Sequence, residues 1–505
     1  MKLLFFVLIV ADISAAWAGI VTIDTSEVVA AYFEEAKTNE ALLIAFLHKM
    51  PKGADLHNHP SGAIETETLL DNAIERDLVF DLTEKAFVPS TTNPFYTSMD
   101  LRFDFWKTDT VLDALGMRNM TKEKEDGHDH FFRSFARFGP AMPSDEKIMA
   151  ELLRRAASQR ISYMELMINV VKFPEDGTVD YDALKKQLQH LDDMRRDTLA
   201  NLDERDKGWN VDVSYILTLN RGEGIPMETR EAFDEKAYEK YFGKRVKNAM
   251  DLLVNLHECG VRGITLLSPE DSWFSRTYFD LQMRIIDENW RSFSEKDRAK
   301  LKLNLHAGEL TIGYSPYEAM RNRISKTISK GHSSRIGHGV DVMWEDDVYG
   351  LLRDMREKGI AVEICLSSNE GILGVSGGAR HPFRLYWDAG VPVAICTDDE
   401  GISRSNLTLE YAKAAKWFDL QYGELKWLAF NSVEYSFLPG ESLFVNGDFN
   451  KRKTRRDSLF QSPKAVKQME LWDAFLEFES RMERNIELFH QGEPHRSEPG
   501  RGLRP

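Results

Sequence analysis

Val391-Pro392-Val393-Ala394-Ile395-Cys396-Thr397-Asp398-Asp399 is an apolar, β-type run that ends in two adjacent acids. Such a run reads as a strand, with Asp398 and Asp399 at its C-terminal end. Three further segments repeat the arrangement: Asp55-Leu56-His57-Asn58-His59, Leu305-His306-Ala307-Gly308-Glu309 and Ile336-Gly337-His338-Gly339. Residues i and i+2 of a strand share a face, so His57 and His59 can present two imidazoles to one ion. A nitrogen from His306 and an oxygen from Asp398 complete an N3O set. That set leaves a position for water, as catalytic zinc requires.

Outward from these segments, apolar β-type runs number eight: 54–56, 161–166, 211–219, 261–267, 301–305, 335–337, 361–366 and 391–396. Helical stretches separate most of them, among them 182–202, 235–258, 279–290 and 346–357. Strands that alternate with helices are parallel, and eight of them imply an α/β fold of the closed (β/α)8 TIM-barrel type. His57 and His59, His306, His338 and Asp398 then follow strands one, five, six and eight. That is the end at which the active sites of such barrels lie.

Residues 1–18 have the form of a secretory signal: Lys2, an apolar stretch from Leu3 to Ala11, and Ala16-Trp17-Ala18 before Gly19. The apolar stretch is far shorter than the ~20 residues of a spanning helix, so a secreted or periplasmic chain without a membrane anchor is expected. Residues 19–50 read as a helical lead-in, 51–440 as the barrel, 441–490 as a helical extension and 491–505 as a disordered tail. Residues 80–143, between the first two strands, read as an insertion over the barrel mouth, with a helix over 131–138. A net charge of -16 argues against nucleic acid as a partner. A small-molecule substrate is the simpler expectation, and a homodimer is compatible with it. The cysteines number three, so they cannot all pair internally.

Glu309 lies three residues beyond His306, in a turn that can bring its carboxylate to the same pocket for proton transfer. His338, flanked by glycines, is a further metal ligand or a group that handles the proton or orients hydroxide. Strand four, Gly263-Ile264-Thr265-Leu266-Leu267-Ser268, lacks a lysine to bridge two ions, so one Zn2+ per chain is expected. Asp398 and Asp399 point to different sides of an extended backbone, one to the ion and one to substrate. His128-Asp129-His130 repeats the histidine spacing but opens a helical pattern, which turns the two rings apart.

These segments resemble the adenosine/AMP deaminase family, and within it the secreted adenosine deaminase-related growth factor branch. Met50-Pro51-Lys52-Gly53-Ala54, HAGE at 306–309, SSRIGHG at 333–339, VEICLSSNEG at 362–371, His381-Pro382 and CTDDEG at 396–401 follow the family's order. The resemblance implies hydrolytic deamination at C6 of adenosine or 2′-deoxyadenosine. It also implies zinc on His57, His59, His306 and Asp398, a proton to purine N1 from Glu309, hydroxide assisted by His338, and Asp399 at N7.

Three departures shape the expectations. Pro60-Ser61 stands where the family carries an acid for the ribose, so any sugar contact is expected from the insertion, with Trp106, Asp104 and Asp109 as candidates. Ser268 stands where many members have glycine, and its backbone N–H is the candidate for N3. The insertion has no cysteine for the branch's disulfide. The alternatives are a deaminase of another 6-aminopurine compound and an extracellular binding or signalling protein on an inactive barrel.

Overall fold

The eight apolar runs become eight parallel strands in the computed structural model, which describes residues 23–120, 125–169, 180–222, 233–453 and 461–490. Strands one to eight are Gly53–Asn58, Ile161–Ile168, Asp212–Asn220, Val261–Leu267, Asn304–Ala307, Arg335–His338, Ala361–Ile364 and Val393–Ile395. Strands one to four pair in sequence order, and so do strands five to eight. Parallel bridges from Ile264 to Leu303 and from Asn58 to Asp398 join the two sheets and close the ring. The second seam runs through the candidate site itself: Asp398 N donates to His57 O at 2.8 Å, and His59 N to Asp398 O at 3.2 Å. His57, His306 and His338 lie within the last residues of their strands, slightly earlier than expected. The ladder therefore fixes their backbones directly.

The helices between strands bury one face against the ring, as their apolar spacing requires. Tyr181–Ala200 turns in Leu184, Leu188 and Leu191, and Glu235–Asn255 turns in Tyr238, Phe242, Val246 and Leu253. The helical lead-in consists of two helices, Glu27–Lys37 and Glu40–Lys49. Asn39 breaks it by accepting from the N–H groups of Ala41 and Leu42, a local bond that competes with helix continuation. Phe33 and Phe46 pack against Tyr422, and Phe46 also meets Phe478 of the C-terminal helix Pro463–His490. Lead-in, barrel and extension thus share one apolar core.

The insertion has its own core, which includes Phe80, Phe87, Leu101, Val111, Phe131 and Phe138 and reaches the barrel side at Val340, Ile372 and Ile402. It contains a small antiparallel sheet, Val79–Asp81 with Ala86–Val88 and Phe95–Tyr96, that the sequence did not disclose. Strands of two or three residues are too short to show period-two alternation. The helix expected over 131–138 begins earlier, at Gly127, capped by Asp126. A hairpin, Phe444–Val445 with Asp448–Arg452, also went unread. The signal and tail readings, 1–18 and 491–505, lie outside the described residues. No helix among the described residues is long and apolar enough to cross a membrane.

Candidate metal centre and active site

Three imidazoles and one carboxylate meet at the C-terminal mouth of the barrel. His57 Nε2 lies 3.2 Å from His59 Nε2, and Asp398 Oδ1 lies 3.6 Å from the first and 3.4 Å from the second. The rings of His57 and His306 are 4.5 Å apart between centroids, and those of His59 and His306 are 5.4 Å apart. Donors held ~2.0–2.2 Å from a tetrahedral zinc ion are separated by about 3.3–3.6 Å, so the spacings among His57, His59 and Asp398 fit one such ion, with the His306 ring beside them. His338 also stands close, its Nε2 4.0 Å from Asp398 Oδ2.

Second partners set the face that each imidazole presents. His57 Nδ1 is 2.7 Å from Glu363 Oε2, which leaves Nε2 as the free donor. His306 Nδ1 donates to Thr265 Oγ1 at 2.9 Å, and the threonine hydroxyl donates on to Asn304 O at 2.8 Å. Glu363 is itself held by buried Arg335, whose Nε sits 2.6 Å from Glu363 Oε1 and whose Nη2 reaches Glu165. A buried ion pair of this kind adds little net stability. Its consequence here is orientation of His57.

The charge states suit metal ligation. Burial pushes His59 down to about 4, despite Asp398, and lowers His306 well below the ordinary imidazole range, helped by the neighbouring histidines. Both are thus neutral donors. Burial opposes the Asp398 charge, but His57 and His338 outweigh it and hold this carboxyl ionised.

Glu309 and Asp399 are set apart from Asp398 by the opposite tendency. Burial, reinforced by Asp398 and Glu270 and only partly offset by His338 and His128, pushes Glu309 up to about 7. Burial and the adjacent Asp398 raise Asp399 well above the carboxylate range. Glu309 Oε1 and Asp399 Oδ1 are buried without a hydrogen-bond partner among the described residues. Two protonatable carboxyls therefore stand beside the histidine cluster, each with one oxygen unpaired, the pattern expected where a substrate supplies the missing partner. Gly62 is required beside them: a Cβ there would lie 1.7 Å from Asp399 Oδ1.

Sequence reasoning did not find Glu270. Its carboxylate accepts from Gly308 N at 3.2 Å and Glu309 N at 3.0 Å and pairs with Arg323, so it pins the turn that aims Glu309. Glu363 was missed as well. The available signal for it was a lone carboxylate inside the apolar run 361–366, a place where a charge is rare unless paired.

The backbone is unusual where the chemistry sits. His338 and Asp398 adopt φ values of 66° and 60°, and Ser268 adopts 107°. Side-chain-bearing residues seldom occupy that region, and functional sites hold such strain. Ser268 Oγ donates to Asn220 Oδ1 at 2.6 Å. Ser268→Gly would remove strain worth ~1–3 kcal/mol. It would lose a bond worth ~1 kcal/mol, and it would add ~0.4–1 kcal/mol of unfolded-chain entropy. We expect no measurable destabilisation in denaturant unfolding. A loss above ~2 kcal/mol would show that the serine bond dominates the backbone strain.

The insertion corrects one expectation. Trp106 is 78% exposed, with its ring edge against Phe105, and it joins neither the pocket cluster nor the insertion core. Asp104 caps the helix Phe105–Leu115, and Asp109 pairs with Arg118. An N-cap and an ion pair use the carboxylates that the sugar was expected to meet. The insertion reaches the mouth through His128 instead. His128 Nε2 is 3.1 Å from Asp271 Oδ1, its ring stacks on Tyr314, and its charge is felt at Glu309. His130 turns away to Glu125 and Gly116 O, as helical spacing dictates.

The family described as adenosine deaminase matches residues 244–443. An adenosine deaminase of Clostridium botulinum (strain Loch Maree / Type A3) is 24% identical over 407 residues, which cover 80% of this chain and 98% of that protein. One from Enterococcus faecalis is 29% identical over 242 residues. Among solved structures, the adenine deaminase of Arthrobacter aurescens aligns with a TM-score of 0.52 at 17% identity, covering 84% of this chain and 98% of that one. The N6-mAMP deaminase of Arabidopsis aligns at 0.52 and 19%, covering 86% and 99%.

Proposed function

Because the chain belongs to the adenosine deaminase family, we propose that it hydrolyses the C6 amino group of adenosine and 2′-deoxyadenosine, giving inosine or 2′-deoxyinosine and ammonia. The observation that supports this most is the pairing of an ionised Asp398 among three imidazoles with two raised carboxyls, Glu309 and Asp399, each with one oxygen left without a hydrogen-bond partner. Hydrolysis at C6 needs a nucleophile, a proton for the ring and a grip on the purine. The cluster offers a group for each.

In this reading His57, His59, His306 and Asp398 hold one Zn2+ per chain. The ion supplies Lewis acidity that makes water a competent nucleophile at neutral pH. Glu309, protonated near neutrality, would deliver its proton to purine N1 as water adds at C6; the adduct's hydroxyl proton goes to the amino group, which leaves as ammonia while the C6 carbonyl forms, and the proton first given up by the water restores Glu309. Asp399, kept neutral, donates to N7 through its free oxygen. His338 stands at the same cluster and orients the attacking water. The backbone N–H of Ser268 is assigned to N3. The proposal includes export, from the signal at 1–18, and action on a free nucleoside.

Sugar recognition follows from what the pocket lacks. Pro60 opens the short helix Pro60–Ala63, which leaves no carboxylate at the position of the family's ribose-binding acid. A charged hydrogen bond contributes ~1.5–3 kcal/mol, or roughly ten- to a hundredfold in affinity. Without it, kcat/KM for adenosine and 2′-deoxyadenosine is expected to agree within about tenfold. Ammonia-release assays on the purified chain with adenosine, 2′-deoxyadenosine, adenine, AMP and guanosine test both claims. Turnover confined to adenine or AMP would overturn the nucleoside reading. A strong preference for adenosine would show that another group reads the 2′-hydroxyl.

A further inference from the structure

Behind His338 lies a chain of three hydrogen bonds whose direction is set by the main chain. The N–H of Phe383 donates to His381 Nδ1 at 3.1 Å. A backbone N–H can only donate, so His381 Nδ1 is bare and the ring hydrogen sits on Nε2. That Nε2–H donates to Asn369 Oδ1 at 3.2 Å. The amide of Asn369 is thereby oriented, because a flipped amide would set its NH2 against the imidazole N–H. Its Nδ2 then donates to His338 Nδ1 at 3.1 Å. All three side chains are buried, with Asn369 at 0% exposure. Burial pushes His381 down to about 3 and so keeps it neutral.

The far end of the chain is therefore a hydrogen delivered to His338 Nδ1. The nearest carboxylate to that nitrogen, Glu309 Oε1, is 3.7 Å away, beyond hydrogen-bond range. On the other side of the ring, Nε2 faces Asp398. A hydrogen on Nδ1 would oppose the Asn369 NH2 between two fully buried side chains.

We propose that Asn369 and His381 are positioning residues that hold His338 as its Nε2–H tautomer, so that at the pocket His338 donates a hydrogen bond to the attacking water and does not accept its proton. The proposal rests on the reading of His338 as the group beside that water. It assigns to His338 the holding of the nucleophile's orientation, and it gives purpose to two side chains that touch neither substrate nor ion. Neither residue is a catalytic residue in itself.

Long-range nitrogen–hydrogen correlation spectra of the zinc-loaded protein, labelled with 15N-histidine, read the tautomer directly. In the native chain His338 is expected to show a bare Nδ1 and a protonated Nε2. Asn369→Asp, which replaces the donor by acceptors at nearly unchanged shape, is expected to draw a hydrogen to Nδ1 and lower kcat by about tenfold or more, with metal content and KM near native. His381→Gln, whose amide still donates to Asn369, is expected to keep the Nε2–H tautomer, whereas His381→Leu releases the Asn369 amide and loses it. An Nδ1–H tautomer in the native protein would overturn the inference, and so would an Asn369→Asp variant with unchanged tautomer and kcat. The native spectrum decides even if a variant fails to fold. It also decides independently of substrate, so a chain that deaminates no 6-aminopurine would sink the proposed function and leave this test standing.

Discussion

Glu309→Gln is expected to keep its metal and its fold while losing about 10²–10⁴-fold in kcat, the usual contribution of a positioned general acid. The amide is close in shape, and the backbone N–H of residue 309 would still donate to Glu270. What it cannot do is release a proton to N1. The native enzyme should show the corresponding pH limb. The carboxyl of Glu309, pushed up to about 7, is protonated and competent below that pH and loses its proton as pH rises through it. Activity attributable to this group therefore falls on the alkaline side. The limb should be missing from the residual activity of the glutamine variant. A variant with near-native kcat, or one that loses its zinc by elemental analysis, would remove Glu309 from the acid role.

Asp398→Asn should have an equally large effect by a different route. Asparagine keeps the size of the side chain and tolerates the left-handed backbone that residue 398 adopts. The bridge to Asn58 that closes the barrel uses main-chain groups, so it should survive the change. The negative charge that Asp398 brings to the histidine cluster is lost. We expect metal affinity to drop by more than the ~10–100-fold typical of a second-sphere partner, and turnover to fall with it. An ion that binds only the folded chain stabilises it by ~4 kcal/mol at a thousandfold excess over Kd. A chelator should therefore lower the Tm of the native protein and leave that of Asp398→Asn almost unmoved. Two equivalents of tightly held metal per active chain would contradict the single-ion assignment. Full zinc in the asparagine variant would remove Asp398 from the ligand set.

The sequence by itself determined the strands and the ends at which their polar residues lie. A run such as 361–366 or 391–396 can only be buried, and period two sends His57 and His59 to one side whatever surrounds them. Local composition carries that information, so eight strands and the histidine and aspartate cluster were legible before any contact was known. The tertiary structure alone decided how those groups are held and what state they take. Glu363 meets His57, Thr265 meets His306 and Glu270 meets the Glu309 turn across separations of 306, 41 and 39 residues. No spacing rule reaches so far. It also decided the insertion, where Asp104 and Asp109 served local bonds, Trp106 stayed in solvent and His128 reached the mouth instead. Helix caps and ion pairs compete for the same carboxylates that a substrate would use, and only the folded arrangement shows which partner wins. The charge of a buried group likewise depends on its neighbours in space. Asp398 and Asp399, adjacent in the chain, are driven to opposite states because histidines outweigh burial at one, while burial and a crowding carboxylate act together on the other.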